Sequence, residues 1–313
     1  METDFAFKDV AHTHAALEAS GYICSPVIAT IVFLAQATHK PVLVEGPAGV
    51  GKTELAKAVA RSLDRELIRL QCYEGLDEAK ALYEWEYAKQ LLYTQMVKEK
   101  IGDVIAGARS IAEAVDRVAA QEDAFFSERF LQPRPLLQAI SSERPVVLLI
   151  DEVDKSDPEF EAFLLEVLSD FQVSIPELGT RRARHIPSVF LTSNDSRDMS
   201  DALKRRCLHL YIDYPDRDLE LRIVRLRCPG LGERLAGQLV DAVRRIRVLD
   251  LKKKPAISET LDWAQALLAL QVEDLSLDIL RDTLNVVCKH RADVQLVGEK
   301  IEKVCGAAPR LRK

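Results

Sequence analysis

Short runs of β-branched and leucine-rich residues recur along the chain, separated by segments whose apolar residues fall at helical spacing. The runs are Pro41-Val-Leu-Val-Glu45, Leu67-Ile-Arg-Leu-Gln-Cys72, Pro145-Val-Val-Leu-Leu-Ile150, Ser188-Val-Phe-Leu-Thr192 and Leu208-His-Leu-Tyr-Ile212. Strands this apolar are expected where helices cover both faces of a parallel sheet, because neither face then meets water. Between the third and fourth runs, Asp157 as N-cap and Pro158 at the first helical position open a helix. Its Phe160, Phe163, Leu164, Val167, Leu168 and Phe171 form one apolar stripe for the sheet. Residues 76–121 carry no strand-like run and are rich in Ala, Glu, Lys, Gln and Leu, which predicts a mostly helical insertion between sheet strands. Past Pro215 the pattern is of helices alone, at about residues 219–227, 233–248, 258–270, 276–287 and 292–304. That change predicts a boundary near Tyr214-Pro215, with an α/β domain over 1–215 and an all-α domain over 216–313.

Composition narrows the class. A chain of 313 residues with 48% hydrophobic and 29% charged residues is balanced for a globular fold of about two domains. The longest apolar stretch, Val27 to Ala37, contains Thr30 and Gln36 and lies between Pro26 and His39, so no membrane insertion is expected. The opening METDFAFKDVAHTH has neither a basic nor an apolar leader segment, and a cytoplasmic location is expected. A net charge of −6 supplies no bulk attraction to nucleic acid. The six cysteines stand far apart, without a C-x-x-C pair, and read as idle or buried thiols.

The chemistry begins at Gly46-Pro-Ala-Gly-Val-Gly-Lys52-Thr53, which fits G-x-x-x-x-G-K-[ST] between a predicted strand and a predicted helix. In a chain of this length the four fixed positions coincide by chance about once in a hundred. Glycines let successive N–H groups point inward, and the helix start adds the positive end of its dipole, making an anion cradle. Nucleotide-binding candidates are Gly46, Pro47, Ala48, Gly49, Val50, Gly51, Lys52, Thr53 and Glu54, with Lys52 for the β- and γ-phosphates and the Thr53 hydroxyl for Mg²⁺. A second element, Val146-Val-Leu-Leu-Ile-Asp151-Glu152, is an apolar strand ending in two carboxylates. Paired with the loop, Asp151 is the further metal candidate and Glu152 the group to polarise an attacking water. The next strand ends at Asn194, an amide placed to orient that water. Arg205 and Arg206 end a short basic helix, either as capping cations or as a finger into a neighbouring subunit's site.

On GPAGVGKT at 46–53, VVLLIDEVDK at 146–155, FLTSN at 190–194, ALKRRC at 202–207 and the helices after Pro215, the chain resembles the AAA+ ATPases, and within them the MoxR family. LQCYEGLDEAKALYEW at 70–85 and QVSIPELGTRRARHIP at 172–187 are similar to its CoxD-like branch, which is associated with maturation of molybdenum-containing hydroxylases. The resemblance implies an αβα sandwich with a five-stranded parallel sheet of order 5-1-4-3-2 and a C-terminal helical lid. It also implies ATP and Mg²⁺ as ligands, a homo-oligomeric ring, usually a hexamer, and a partner carrying a von Willebrand factor A domain. By position Asn194 matches sensor 1, Arg206 matches the arginine finger with Arg205 second, and residues 171–187 match the hairpin before sensor 1. One departure stands out: where many relatives carry an arginine at the start of the third lid helix, this chain reads Ser258-Glu259-Thr260, with Lys254 nearby. The expected function is ATP-driven, chaperone-like remodelling of a protein client, such as a molybdenum hydroxylase. Two other readings are a nucleic-acid motor, supported by Arg181-Arg182-Ala-Arg184 and Lys252 to Lys254, and a nucleotide-gated adaptor with little turnover. Gly21-Tyr22-Ile23 is the candidate border of the base pocket.

Overall fold

The computed structural model describes residues 7–96, 110, 113, 130–175 and 178–306. Nine strands occur among them: β1 (Val42–Glu45), β2 (Leu67–Gln71), β3 (Tyr83–Trp85), β4 (Leu131–Pro133), β5 (Val147–Asp151), β6 (Gln172–Ile175), β7 (Gly179–Arg182), β8 (Ser188–Ser193) and β9 (Leu208–Tyr211). Five of them form a wholly parallel sheet in the order β2-β5-β8-β1-β9. Counted among themselves these five run 2-3-4-1-5, which is the order 5-1-4-3-2 read from the other edge. The fold is the expected P-loop αβα sandwich, followed by an all-helical C-terminal region.

Alternation along each strand divides the core between the two faces. Leu43, Leu148, Ile150, Val189 and Leu191 pack on one side against the helices Pro135–Ile140 and Pro158–Asp170. Val42, Val44, Val147, Leu149 and Phe190 pack on the other against the helices Pro26–Thr38 and Lys52–Ser62. These strand residues are all at most 3% exposed, and each side chain so buried contributes about 1.5–3 kcal/mol. The stripe expected on Pro158–Asp170 is present, with Phe160, Leu164, Val167 and Leu168 buried and Phe163 packed beside them. Asp157 occupies the N-cap position without capping the helix; its carboxylate accepts from the Gly75 N–H instead.

Two expectations need correcting. The segment 76–121 was expected to lack strands, yet Tyr83–Trp85 pairs antiparallel with Leu131–Pro133 as a two-stranded ribbon. Three residues are too few to register a period of two, and the pairing partner lies far along the chain. Of the expected helical insertion, Glu78–Leu82 and Tyr87–Met96 are helices, and residues 97–109, 111–112 and 114–121 lie outside the described residues. The last helix, expected over 292–304, is two: Arg291–Glu299 and Ile301–Cys305, parted at Lys300. Gly298 just before the break lowers the helix preference there. β6 and β7 form an antiparallel hairpin. All six thiols are free, five buried and Cys305 half-buried, and no helix among the described residues is long and apolar enough to cross a membrane.

The helices after Tyr214 surround their own core, centred on Trp263, whose Nε1 donates to Thr283 Oγ1 at 2.8 Å. A buried ion pair fastens them near the connection to the sheet. Arg247 donates to both Glu220 oxygens at 2.6 Å, and its Nε donates to Pro255 O at 2.7 Å. Thr260 Oγ1 donates to Glu220 at 2.8 Å, and the guanidinium lies 5.0 Å from the centre of the Tyr214 ring. A charge this deeply buried is tolerated only when every oxygen is bonded. Arg247→Ala strands the fully buried Glu220 carboxylate, and we expect a loss of about 3–5 kcal/mol in chemical denaturation. A double replacement of Arg247 and Glu220 by apolar residues should recover most of it.

Candidate functional site

All five parallel strands end at the same edge of the sheet, where β1 runs into the loop 46–51, β5 ends in Asp151 and Glu152, and β8 leads into Asn194. The loop takes its shape from its glycines. Gly46, Gly49 and Gly51 have φ of 144°, 79° and 101°, which side-chain-bearing residues rarely adopt. At Gly46 a methyl group would lie 2.0 Å from the Ile212 carbonyl oxygen, so the backbone there approaches β9's end more closely than any alanine allows. The helix Lys52–Ser62 follows directly, its first turn facing the loop.

Lys52 is 6% exposed, and its Nζ donates to Gly46 O at 2.7 Å, Pro47 O at 2.7 Å and Asn194 Oδ1 at 2.9 Å. Burial pulls the ammonium below its ordinary pKa, against the opposing pull of Asp154, Asp151 and Glu152. Asp151, 2% exposed, accepts from Thr53 Oγ1 at 2.9 Å and Thr192 Oγ1 at 2.5 Å on Oδ1, and from Arg69 at 2.6 and 3.1 Å on Oδ2. Glu152 stands in the left-handed region, φ 57°, a strained setting that its N–H bond to Thr192 Oγ1 at 2.9 Å helps hold. Its carboxylate accepts from Lys155 at 2.6 Å, Gln71 at 2.9 Å and Asn194 Nδ2 at 3.4 Å. Arg69 also donates to Gln71, so the two strand-end carboxylates are joined through β2.

The structure thus brings together Lys52, Thr53, Asp151, Glu152 and Asn194, all of which the sequence singled out. A cavity of about 710 Å³ opens over them, and Gly21, Tyr22 and Ile23 line it, as do Leu219, Ile223 and Arg227 from the first C-terminal helix. Arg205 and Arg206 are elsewhere. They precede β9, whose Leu208 stands opposite Val42, so they lie at the edge where strands begin, and neither lines the cavity. Arg206 Nε donates to Ser169 Oγ. Sequence reasoning missed Arg69, Gln71 and Thr192, which bind the two carboxylates. Arg69 gave a signal, a charge inside an otherwise apolar run, and Thr192 stands two residues before Asn194 on the same side of its strand.

A glycine loop between strand and helix, with an acidic strand end beside it, defines a P-loop nucleotide-binding protein. Residues 42–214 match the family model described as "AAA: ATPase family associated with various cellular activities", and the chain belongs to that family. It is similar to the gas vesicle ATPase GvpN of Haloferax mediterranei, 27% identical over 217 residues that are 66% of this chain and 56% of that protein. It is similar also to GvpN1 of Halobacterium salinarum, 25% identical over 273 residues, or 84% of this chain and 73% of the other. The chain therefore spans little more than half the length of the Haloferax relative. Among solved structures it is similar to the RuvB Holliday junction branch migration motor of Thermotoga maritima, with a TM-score of 0.47 and 18% identity over 90% of this chain and 76% of that one.

Thr192 tests how the site is held. Thr192→Val removes the hydroxyl that both donates to Asp151 and accepts from the Glu152 N–H, leaving a buried N–H unpaired at a cost of about 1–3 kcal/mol. We expect a folded protein whose phosphate release from ATP, followed at steady state, falls at least about tenfold.

Proposed function

We propose that this chain hydrolyses ATP in a ring of its own copies and uses the motion of its C-terminal helices to remodel a protein client. The observation that carries the reading is the convergence of Lys52, Thr53, Asp151 and Asn194 within hydrogen-bond reach over one glycine loop. Lys52 exchanges the loop carbonyls for the β- and γ-phosphate oxygens of the nucleotide. Glu152 accepts the proton of the attacking water, which Asn194 orients from the neighbouring strand end. The Thr53 hydroxyl and Asp151 carboxylate are hard oxygen donors of the kind Mg²⁺ prefers. Held there, the ion would supply charge neutralisation along the phosphates.

Arg205 and Arg206 support the ring. Standing at the far edge of their own sheet, they fit an arginine finger only if they serve a neighbour's site, with Arg206 first. We read residues 1–215 as the nucleotide domain and 216–313 as a lid, hinged near Tyr214. The hexamer, the von Willebrand factor A partner, the cytoplasmic setting and a client such as a molybdenum hydroxylase rest on the MoxR and CoxD-like resemblance. A nucleic-acid motor is less well supported, because Arg182 and Arg184 on or beside the hairpin are engaged by Gln172 and Glu143. A gated adaptor without turnover leaves the paired Asp151 and Glu152 unexplained.

Glu152→Gln should bind ATP and stop turnover, and near-normal phosphate release from it would remove Glu152 from the water-polarising role. Arg206→Ala alone should abolish hydrolysis while sparing ATP binding. Mixed with Lys52→Ala chains it should regain part of the activity, because some interfaces then pair an intact Lys52 with an intact Arg206. A mixture as inactive as either parent would place the finger elsewhere.

A further inference from the structure

Two basic side chains line the cavity over the phosphate loop. Among the described residues that line it, Lys52 is one and Arg227 is the other. Arg227 ends the helix Arg217–Arg227, and Leu219, Ile223 and Leu226 on the same helix also face the cavity. Its nearest counter-charge is Glu54, with Nη2 3.8 Å from Oε1, which is too far for a hydrogen bond. Glu54 is already bonded by Arg61 at 3.2 Å and flanked by Lys57 at 3.5 Å. Both of those partners stand nearer to Glu54 than Arg227 does, and among the described residues no carboxylate lies within hydrogen-bond distance of the Arg227 guanidinium.

The position where relatives carry a lid arginine offers no cation here. At the start of the helix Ile257–Ala269, Glu259 is 8% exposed and turned back on its own helix, accepting from the Ala256 N–H at 3.0 Å and Ser258 Oγ at 2.9 Å. Lys253 stands 3.7 Å from its other oxygen, and Lys254 lines a separate cavity with Tyr214 and Arg244. The start of that helix nevertheless touches the phosphate loop, since a methyl group on Gly49 would meet Ser258 Oγ at 2.5 Å. This segment therefore gives steric contact, and the charge comes from a different helix.

We propose that Arg227 is the C-terminal region's cation for the bound nucleotide, and that it contacts the phosphate chain on the side away from the terminal phosphate. The second part rests on the reading given under Proposed function, in which the terminal phosphate lies beside Lys52, Asn194 and Glu152. Arg227 stands 3.8 Å from Glu54, one residue beyond Thr53, and Tyr22 lines the same cavity. A guanidinium there binds a nucleoside diphosphate as well as a triphosphate. The C-terminal helices thus stay engaged after hydrolysis and disengage when the diphosphate leaves, while the state of the terminal phosphate is read on the Asn194 side.

The test is equilibrium titration of the full chain with MgADP and with the Mg²⁺ complex of a non-hydrolysable ATP analogue, for wild type, Arg227→Ala and Arg227→Lys. Arg227 is about half exposed, and its removal leaves no buried charge unpaired. The expected result is a loss of about tenfold for Arg227→Ala, the same for both ligands, with partial recovery in Arg227→Lys. A loss confined to the triphosphate analogue overturns the proposal by placing the cation on the terminal phosphate. Unchanged affinity for both overturns it by taking the guanidinium off the nucleotide. Lys52→Ala, titrated alongside, tests the phosphate-loop reading separately: if it binds ADP as wild type does, that reading fails whatever Arg227 shows.

Discussion

A buried carboxylate organises the site. Asp151 has almost no contact with water, and an unpaired charge there would cost several kcal/mol. It is tolerated because Thr53 from the phosphate-loop helix, Thr192 from β8 and Arg69 from β2 all donate to it. Those donors can meet only because β5 lies between β2 and β8 and its end is level with theirs. The strand order is therefore a condition for the charge to exist. A register slip of one residue would turn Asp151 to the other face and remove its donors together.

Around that point the backbone departs from ordinary conformations where the chemistry needs it to. Three glycines at positive φ curl the loop, and Glu152 takes a left-handed conformation directly after Asp151, so that the two adjacent carboxylates serve different partners. Asp151 turns to Thr53 and Arg69, whereas Glu152 turns to Gln71, Lys155 and Asn194. In the proposed function, this strand end offers one carboxylate to a metal ion and the other to a water. The C-terminal helices line the same cavity with Leu219, Ile223, Ile257 and Leu261, and the buried Glu220–Arg247 pair ties two of the C-terminal helices together.

Much of this was legible in the sequence. The three inner strands β1, β5 and β8 could be placed because burial on both faces makes each an apolar run, as in Val147–Asp151, and the edge strands β2 and β9 because apolar residues still recur at every second or third position. The glycine loop was legible because its spacing is fixed by the geometry of an anion nest, and Asp151, Glu152 and Asn194 because they terminate those same runs. Strand order came from family resemblance, since no local pattern encodes which strand lies beside which. The short ribbon of β3 and β4 was hidden because a three-residue strand has no measurable period and its partner is distant in sequence. Arg69, Gln71 and Thr192 escaped notice for a related reason: their roles come from cross-strand register, which only the assembled sheet defines.

The account stands on Asp151 as the point where magnesium, phosphate loop and sheet meet. It is tested most directly by titrating the full chain with ATP in the presence and absence of Mg²⁺, for wild type and for Asp151→Asn, with the fold of each checked by circular dichroism. Wild type should bind ATP more tightly when Mg²⁺ is present, and Asp151→Asn should be folded and lose that gain. An identical magnesium dependence in the two proteins would contradict the account.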